Sequence, residues 1–461
     1  MSLCFRHATR LGMAIALLLG ALPCPGMERA PRPAKTNFPR MLGLQDAIDL
    51  AFAKNPDLAA AVARIGQAES RVAEVAAGFY PQLTARVGYD YTSNPALAFS
   101  YIVAQRRFNP SPTDFAGQIN NPGWVENFRP EVIGTINLYR GGQDEYLKKA
   151  AELGVQASEL EHSALRNRLA AAVTSAYYAA LSAPKQVEVA QRSVRTVDQE
   201  VDMAKARVAE GVALRGDVLS LEVRSKAALE SELQARNSIN LSRSALKTLI
   251  GEARNELPEL REAELPVPVL KDSLLKTFDQ ALGQRPEMQA AAHQVQIREH
   301  ELEAANGANL PRVNAYAAYG SNSRTLDPST YRDNTSIGIN AEYDLFAGGA
   351  IQARIAAAEQ RVIEAEALEQ RIRLDIENEV RQAYSTLEQA LERVKVAEAG
   401  AASAEEALRL VNEQYHGGTA TVTRYLEAET DRAAATLRSI VARFEAQVAE
   451  AQLLQAIGHW R

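Results

Sequence analysis

The sequence predicts an α+β membrane protein: four β-barrel strands per chain, continued by very long helices, the whole laid out as two internal repeats. Three observations carry this. Four segments alternate apolar and polar residues with a period of two, the mark of a strand with two unlike faces. Two stretches, Gln143 to Glu210 (68 residues, broken only by Pro184) and Gly349 to Tyr415 (67, without proline), read as continuous helix. At 1.5 Å per residue each spans roughly 100 Å, too long for a globule. Finally, the chain matches itself. Pro56, Pro81 and Tyr89 recur as Pro286, Pro311 and Tyr319 at an offset of 230, while Leu138–Gly142 (LYRGG) and Gly211 recur as Leu345–Gly349 (LFAGG) and Gly418 at an offset of 207. The offset changes once, by 23 residues, between Tyr89 and Leu138, so repeat one carries a longer loop there.

Taken in order, residues 1–26 read as an export signal. Arg6, His7 and Arg10 precede an apolar run from Leu11 to Leu22, a basic region followed by an apolar one of signal-peptide length. The cleavage site is left open. Lipidation at Cys24 is an alternative, but Pro23 stands where a small residue is wanted. Residues 27–43 are a proline-bearing lead-in. Repeat one occupies 44–251 and repeat two 271–461. Each reads as helix, two strands, long helix, helix, and an acidic proline-containing linker, 252–270, joins them.

Within each repeat the two short helical segments sum in length to the long one. Leu44–Gly78 and Asp217–Ile250 give 69 residues against 68; Leu275–Asn306 and Val422–Ile457 give 68 against 67. Two short helices laid end to end therefore run alongside one long helix. Pro56 and Pro286 mark restarts, since proline fits the first turn of a helix. The apolar seam Ile351, Ile355, Ala358, Val362, Ala365, resumed at Ala401, Ala404, Leu408, Val411 and Tyr415, has the spacing that calls for a partner helix.

The first strand alternates Leu83, Ala85, Val87, Tyr89 and Tyr91 against Thr84, Arg86, Gly88, Asp90 and Thr92. Its counterpart sets Val313, Ala315, Ala317 and Tyr319 against Arg312, Asn314, Ala318 and Gly320, with Tyr316 breaking the polar side. The second strands place Val132, Ile136 and Leu138 opposite Glu131, Thr135 and Asn137, with Ile133 as the exception, and Ile337, Ile339, Ala341, Tyr343 and Leu345 opposite Ser336, Asn340, Glu342 and Asp344. Lengths near ten residues suit a tilted membrane strand, and tyrosines near the ends suit an aromatic girdle. The polar sides, with Arg86, Asp90, Glu131, Arg312, Asn340, Glu342 and Asp344, are the expected lumen lining. Four strands do not close a barrel with an open lumen, and a membrane strand cannot leave its edge unpaired. The chain is therefore expected to oligomerise.

Composition excludes several classes. With 51 Lys+Arg against 57 Asp+Glu the net charge is −6, which argues against a nucleic-acid partner. No apolar run after residue 22 is long enough for a membrane helix. The two cysteines, Cys4 and Cys24, both precede the folded body, so neither a disulfide nor a cysteine-ligated metal is expected in it. Six scattered histidines, including His293 and His300 seven residues apart, read as solvated helix faces rather than as a metal site. No nucleophile–base spacing and no phosphate loop is present. No enzymatic activity and no cofactor are expected.

At the far ends of the long helices, Gly211 and Gly418 are helix stops. Asp217, Thr421 or Thr423 are candidate caps for the helices that follow. Asp217 and Arg424 stand at equivalent repeat positions. In a ring of alternating repeats their charges alternate in sign, and a pairing that helps close the mouth is the resulting expectation.

Together these residues resemble the TolC-like outer membrane efflux protein family. The likeness covers Leu44 to Trp460. It is carried by Lys54-Asn55-Pro56-Asp57-Leu58, Phe79-Tyr80-Pro81-Gln82-Leu83, Leu138–Gly142, Leu345–Gly349 and Tyr415–Glu429, each short and together specific in order, duplication and spacing. Asn94–Phe128, with Asn120-Asn121-Pro122, looks like an external loop of that family. The resemblance implies a homotrimer with one twelve-stranded barrel in outer membrane lipid and a periplasmic helical tunnel. It implies a tip closed at rest and opened by a periplasmic adaptor and an inner-membrane pump, for efflux or type I secretion. It places the tip at Gly211, Asp217, Tyr415, Gly418, Arg424 and Glu427. This sequence departs from the pattern. Ala420 stands where the best-known member has an arginine gate partner, and Arg424 and Glu427 stand where it has two aspartates ringing the constriction. The resemblance then implies weaker cation binding at the mouth. The alternative to a conduit is a periplasmic or surface coiled-coil scaffold without a pore, which leaves the alternating strands unexplained. An adaptor with a single helical hairpin does not account for two full repeats.

Overall fold

The structure is a computed structural model. It describes residues 41–111, 113–211, 214–252, 257–261, 267–325 and 330–460. The expected export segment lies outside the described residues, as do Val212 and Ala213 of the first tip turn.

Helices α1 (Leu44–Lys54) and α2 (Pro56–Ala76) meet at Asn55. The residue before a proline is pushed out of the helical region, and Asn55 sits at ψ 126°. Its side chain caps the restart: Oδ1 accepts from the Asp57 amide at 2.8 Å, and Nδ2 donates to the Leu249 carbonyl at 2.9 Å. Strand β1 (Gln82–Thr92) leads to two short helices, α3 (Pro95–Ala104) and α4 (Phe115–Asn120), where the sequence predicted only a longer loop. Strand β2 (Val125–Arg140) is 16 residues long and begins six residues before the alternation read from Glu131.

The long helix α5 (Gln143–Ala209) runs through Pro184 without a break. It is followed by α6 (Arg215–Ile250). The second half has α7 (Leu274–Gln284), α8 (Pro286–Asn306), β3 (Arg312–Ser321), β4 (Asp333–Glu342), α9 (Ala350–His416) and α10 (Val422–Ala456). Both long helices have 67 residues.

Helix α5 packs on α1, α2 and α6, and α9 packs on α7, α8 and α10, the short-beside-long arrangement expected from the lengths. Helices α8 and α10 also pack on α5, which ties the two halves into one body. The seams are built from apolar residues at heptad spacing, mainly alanine along α5 and mixed alanine and larger aliphatics along α9. Ala150, Ala157, Ala164 and Ala171 are buried along α5, and Ile376, Val380, Ala383, Leu387, Ala390 and Val394 along α9. Steps of four and three keep these positions on one line facing the neighbour. Ile351, Ala358, Ala365 and Val411 of the expected seam are buried, and its other members are half-buried. The linker lies against α5, where the Tyr177 hydroxyl sits 3.1 Å and 3.0 Å from the Leu42 and Arg261 carbonyls.

These four strands form one antiparallel sheet in the order β1-β2-β3-β4, with β1 and β4 at its edges. Among the described residues no long helix covers either face of this sheet.

Candidate functional site

Register decides which side chains share a face, because directly opposed residues of antiparallel strands point the same way. Arg86 opposes Glu131, Asp90 opposes Asn127, and Gly88 opposes Arg129. Glu131 opposes Gly320 and Thr135 opposes Tyr316. Asn314 opposes Asn340 and Arg312 opposes Glu342. All six in-strand residues of the expected lining therefore lie on one face. The seventh, Asp344, lies past the end of β4, yet its carboxylate accepts from Arg312 Nη2 at 3.0 Å. Arg86 and Glu131 approach to 3.5 Å, as do Arg312 and Glu342. Tyr316, the apparent exception, has its ring where a Cβ on Gly338 would stand. The aromatic side chain thus lies flat across a glycine instead of projecting. Ile133 remains an apolar residue on the polar face.

The opposite face is apolar and open. Leu83 is 78% exposed and Ile337 is 80% exposed. Aromatic rings bound it at both ends. Tyr91 stacks on Trp124 at 4.8 Å, and Tyr89 meets Phe128 at 4.6 Å. At the helical end Phe79, Tyr80, Tyr139, Tyr343 and Phe346 are exposed. A contiguous open apolar face of this size marks a membrane or protein contact, and flanking aromatics suit a membrane interface.

The second candidate region is the far end of the long helices. Gly211 and Gly418 adopt φ of +77° and +74°, the left-handed conformation that turns the chain after a helix. Asp217 does not cap: Leu214 occupies the cap position of α6 and Asp217 lies in its first turn, where the helix dipole favours negative charge. Thr421 does cap α10, with Oγ1 accepting from the Arg424 amide at 3.3 Å. Within the chain the Arg424 guanidinium turns to Glu427 at 3.4 Å, three residues on along the same helix.

Tyr415 is packed from three sides. Its ring stacks on Tyr425 at 5.2 Å, and the Arg207 guanidinium lies 5.5 Å from the ring centre. It also borders the cluster of Val201, Ala204, Val218, Leu221 and Val422. Burial pushes the Tyr415 hydroxyl pKa up; the carboxylates of Glu200 and Asp217 push it the same way, and Arg207 opposes them. Arg207 Nη2 lies 3.2 Å from His416 Nδ1, and His416 Nε2 lies 3.6 Å from the buried Glu200. Burial raises the Glu200 pKa against the opposing pull of His416 and Arg207. Deeper in the hairpin Arg432 and Glu429 are both fully buried and bonded at 2.7 and 2.9 Å.

Sequence reasoning missed Glu200, Arg207, Tyr425, Glu429 and Arg432, and it left His416 among scattered histidines. The one available signal was His416 beside Tyr415 at a helix end. Among the described residues no cluster of side chains is arranged to hold a metal ion. None of their helices is long and apolar enough to cross a membrane.

The comparisons with known proteins agree with this architecture. The alkaline protease secretion protein AprF of Pseudomonas aeruginosa is 24% identical over 397 residues, 84% of this chain and 78% of its own length. The outer membrane efflux protein BepC of Brucella suis is 24% identical over 363 residues, 72% of this chain and 77% of its own. Among solved structures, CusC superposes with a TM-score of 0.78 at 18% identity, over 95% of this chain and 97% of that one. VceC, an outer membrane protein of Vibrio cholerae, gives 0.73 at 20% identity, over 90% and 96%. The family described as "Outer membrane efflux protein" matches residues 47–252 and 277–459, most of the molecule, and the chain belongs to that family.

Proposed function

We propose that three copies of this chain close their sheets, edge β1 of one to edge β4 of the next, into a twelve-stranded outer membrane barrel lined by the polar face. The barrel continues as a helical tunnel through the periplasm. It conducts substrates delivered by an inner-membrane pump through a periplasmic adaptor to the cell exterior. The observation that carries this is the two-faced sheet. One face gathers Arg86, Asp90, Glu131, Arg312, Asn340 and Glu342, and the other is apolar, uncovered and rimmed by aromatics. Eight strands are filled by their own side chains, and twelve leave an open lumen. The names of AprF and BepC, a secretion and an efflux protein, fit the same role.

At the tip, Gly211 and Gly418 reverse the chain. Asp217 and Arg424 alternate around the mouth and pair between neighbouring hairpins, with Glu427 and Tyr415 beside them, holding the resting tunnel closed. An exposed pair contributes only about 0–1 kcal/mol, so three copies act together. The test is native mass in mild detergent after extraction from the outer membrane. A trimer is expected. A monomer or dimer that stays soluble without detergent overturns the conduit and favours the scaffold. For the tip, Asp217→Ala is expected to increase entry of a large antibiotic into cells, and unchanged entry removes the closing role.

A further inference from the structure

Helix α3 is apolar, PALAFSYIVA, yet it lies on the polar face of the sheet. Its contacts settle the side. Gln105, at its end and 1% exposed, donates through Nε2 to Asn127 Oδ1 at 3.1 Å and to the Glu126 carbonyl at 2.7 Å. Asn127 opposes Asp90 on the polar face. Asp90 and Arg129, on that same face, both act on the Tyr101 hydroxyl. The tilted pair Tyr89/Phe128 and the stacked pair Tyr91/Trp124 occupy the other face. Ala98, Tyr101 and Gln105, at steps of three and four, are therefore the side of the helix laid on the sheet.

The helix is also tied down at its end. Arg106 follows in a left-handed conformation, φ 52°. Its guanidinium lies 5.2 Å from the ring of Tyr331, in the connection between β3 and β4, and donates to the carbonyl of Asp333, the first residue of β4. Phe108 packs edge-on against Phe99 and Phe115, which fastens α4 to the same unit. Asn127 in turn donates to Asn322 at 2.9 Å. The loop does not stand clear of the sheet; it is bolted across it.

We infer that α3 lies within the outer mouth of the conduit as an apolar constriction, presenting Leu97, Ser100 and Val103 to passing substrate and selecting it by size and apolarity. This rests on the proposal that the polar face lines the lumen. Leu97 and Val103 are 49% and 46% exposed, Val103 on the side of α3 opposite Tyr101 and Leu97 on its flank. Three copies place six such side chains around an opening otherwise lined by charged and amide groups. A ring of apolar side chains in a narrow pore raises the barrier to water and ions by dewetting.

The experiment uses single-cysteine variants of the full trimer, whose folded body has no cysteine of its own. Val103→Cys probes α3, Arg86→Cys probes the polar face below it, and Leu83→Cys probes the apolar face. Each is treated with a positively charged methanethiosulfonate while single-channel current is recorded, and labelling is scored by mass. Val103→Cys is expected to lose more than half its current, Arg86→Cys to change measurably, and Leu83→Cys to stay constant. If Arg86→Cys responds but Val103→Cys is unlabelled, or labelled without effect, the constriction is wrong and the lumen assignment stands. If Arg86→Cys is labelled without effect while Leu83→Cys responds, the lumen assignment itself fails, and the constriction with it. Val103 is on an exposed face, so its replacement leaves folding intact.

Discussion

Asn55 and Arg285 solve one problem with different chemistry. Each precedes a proline that restarts a helix, and each is held extended, at ψ 126° and 124°. Asn55 caps the new helix with its amide oxygen. Arg285 cannot, and is instead buried with its guanidinium on Glu287 and Glu379. Asn55→Ala is expected to cost about 1 kcal/mol, the ordinary value of a lost cap, seen as a small drop in melting temperature. The buried Glu429–Arg432 pair is the larger effect. Glu429→Ala leaves the buried Arg432 only its looser contact with Glu405 at 3.9 Å, and is expected to cost about 3 kcal/mol in chemical denaturation. Glu200 gives a pH signature. Burial raises its pKa, so the folded chain holds that proton more tightly than the unfolded one. The resulting stabilisation is full below the ordinary glutamate range and fades as pH rises through the raised value. Glu200→Gln resembles the protonated form, so its melting temperature relative to the parent is expected to be higher near pH 7 than near pH 4.

At the scale of elements, legibility followed locality. Strand faces were readable because alternation is a property of adjacent residues, and the helix lengths because Gly and Pro mark their ends. The early start of β2 was hidden: its first residues, Val125 to Pro130, pair with β1 through backbone bonds that do not depend on side-chain order. Tyr316 looked like an error of pattern until Gly338, on the next strand, was seen beneath its ring. Helices α3 and α4 were read as loop because short helices carry too few turns to show a period. The tip network was unreadable for another reason. Glu200 with His416, and Arg207 with Tyr415, are partners more than 200 residues apart. The joint of α6 with α1 and α2 gives an element-scale prediction. Gly251, at φ +77°, lies so near the Lys54 carbonyl that a Cβ would stand 2.5 Å from it. Gly251→Ala combines left-handed strain with a backbone clash, and a loss of about 1–3 kcal/mol is expected from thermal unfolding.

Across the whole molecule the same joint is built at Gly458, which meets Gln284 and Arg285 as Gly251 meets Lys54 and Asn55. Both halves thus join their short helices end to end at a glycine, and in each half these run beside a long helix of 67 residues. That equality limits where the chain tolerates a change of length. One residue inserted into α5 or α9 turns everything beyond it by about 100° about the helix axis, moving the alanine seam off its neighbour. It also leaves one tip a residue longer than the other. In the outer loop an added residue displaces no seam, and the 23 residues by which the halves differ fall there. Insertions and deletions should therefore collect beside α3. In the conduit proposed above, the segment freest to lengthen or shorten is the one laid across the outer opening, so such an architecture alters what passes its mouth while the tunnel behind it stays the same length.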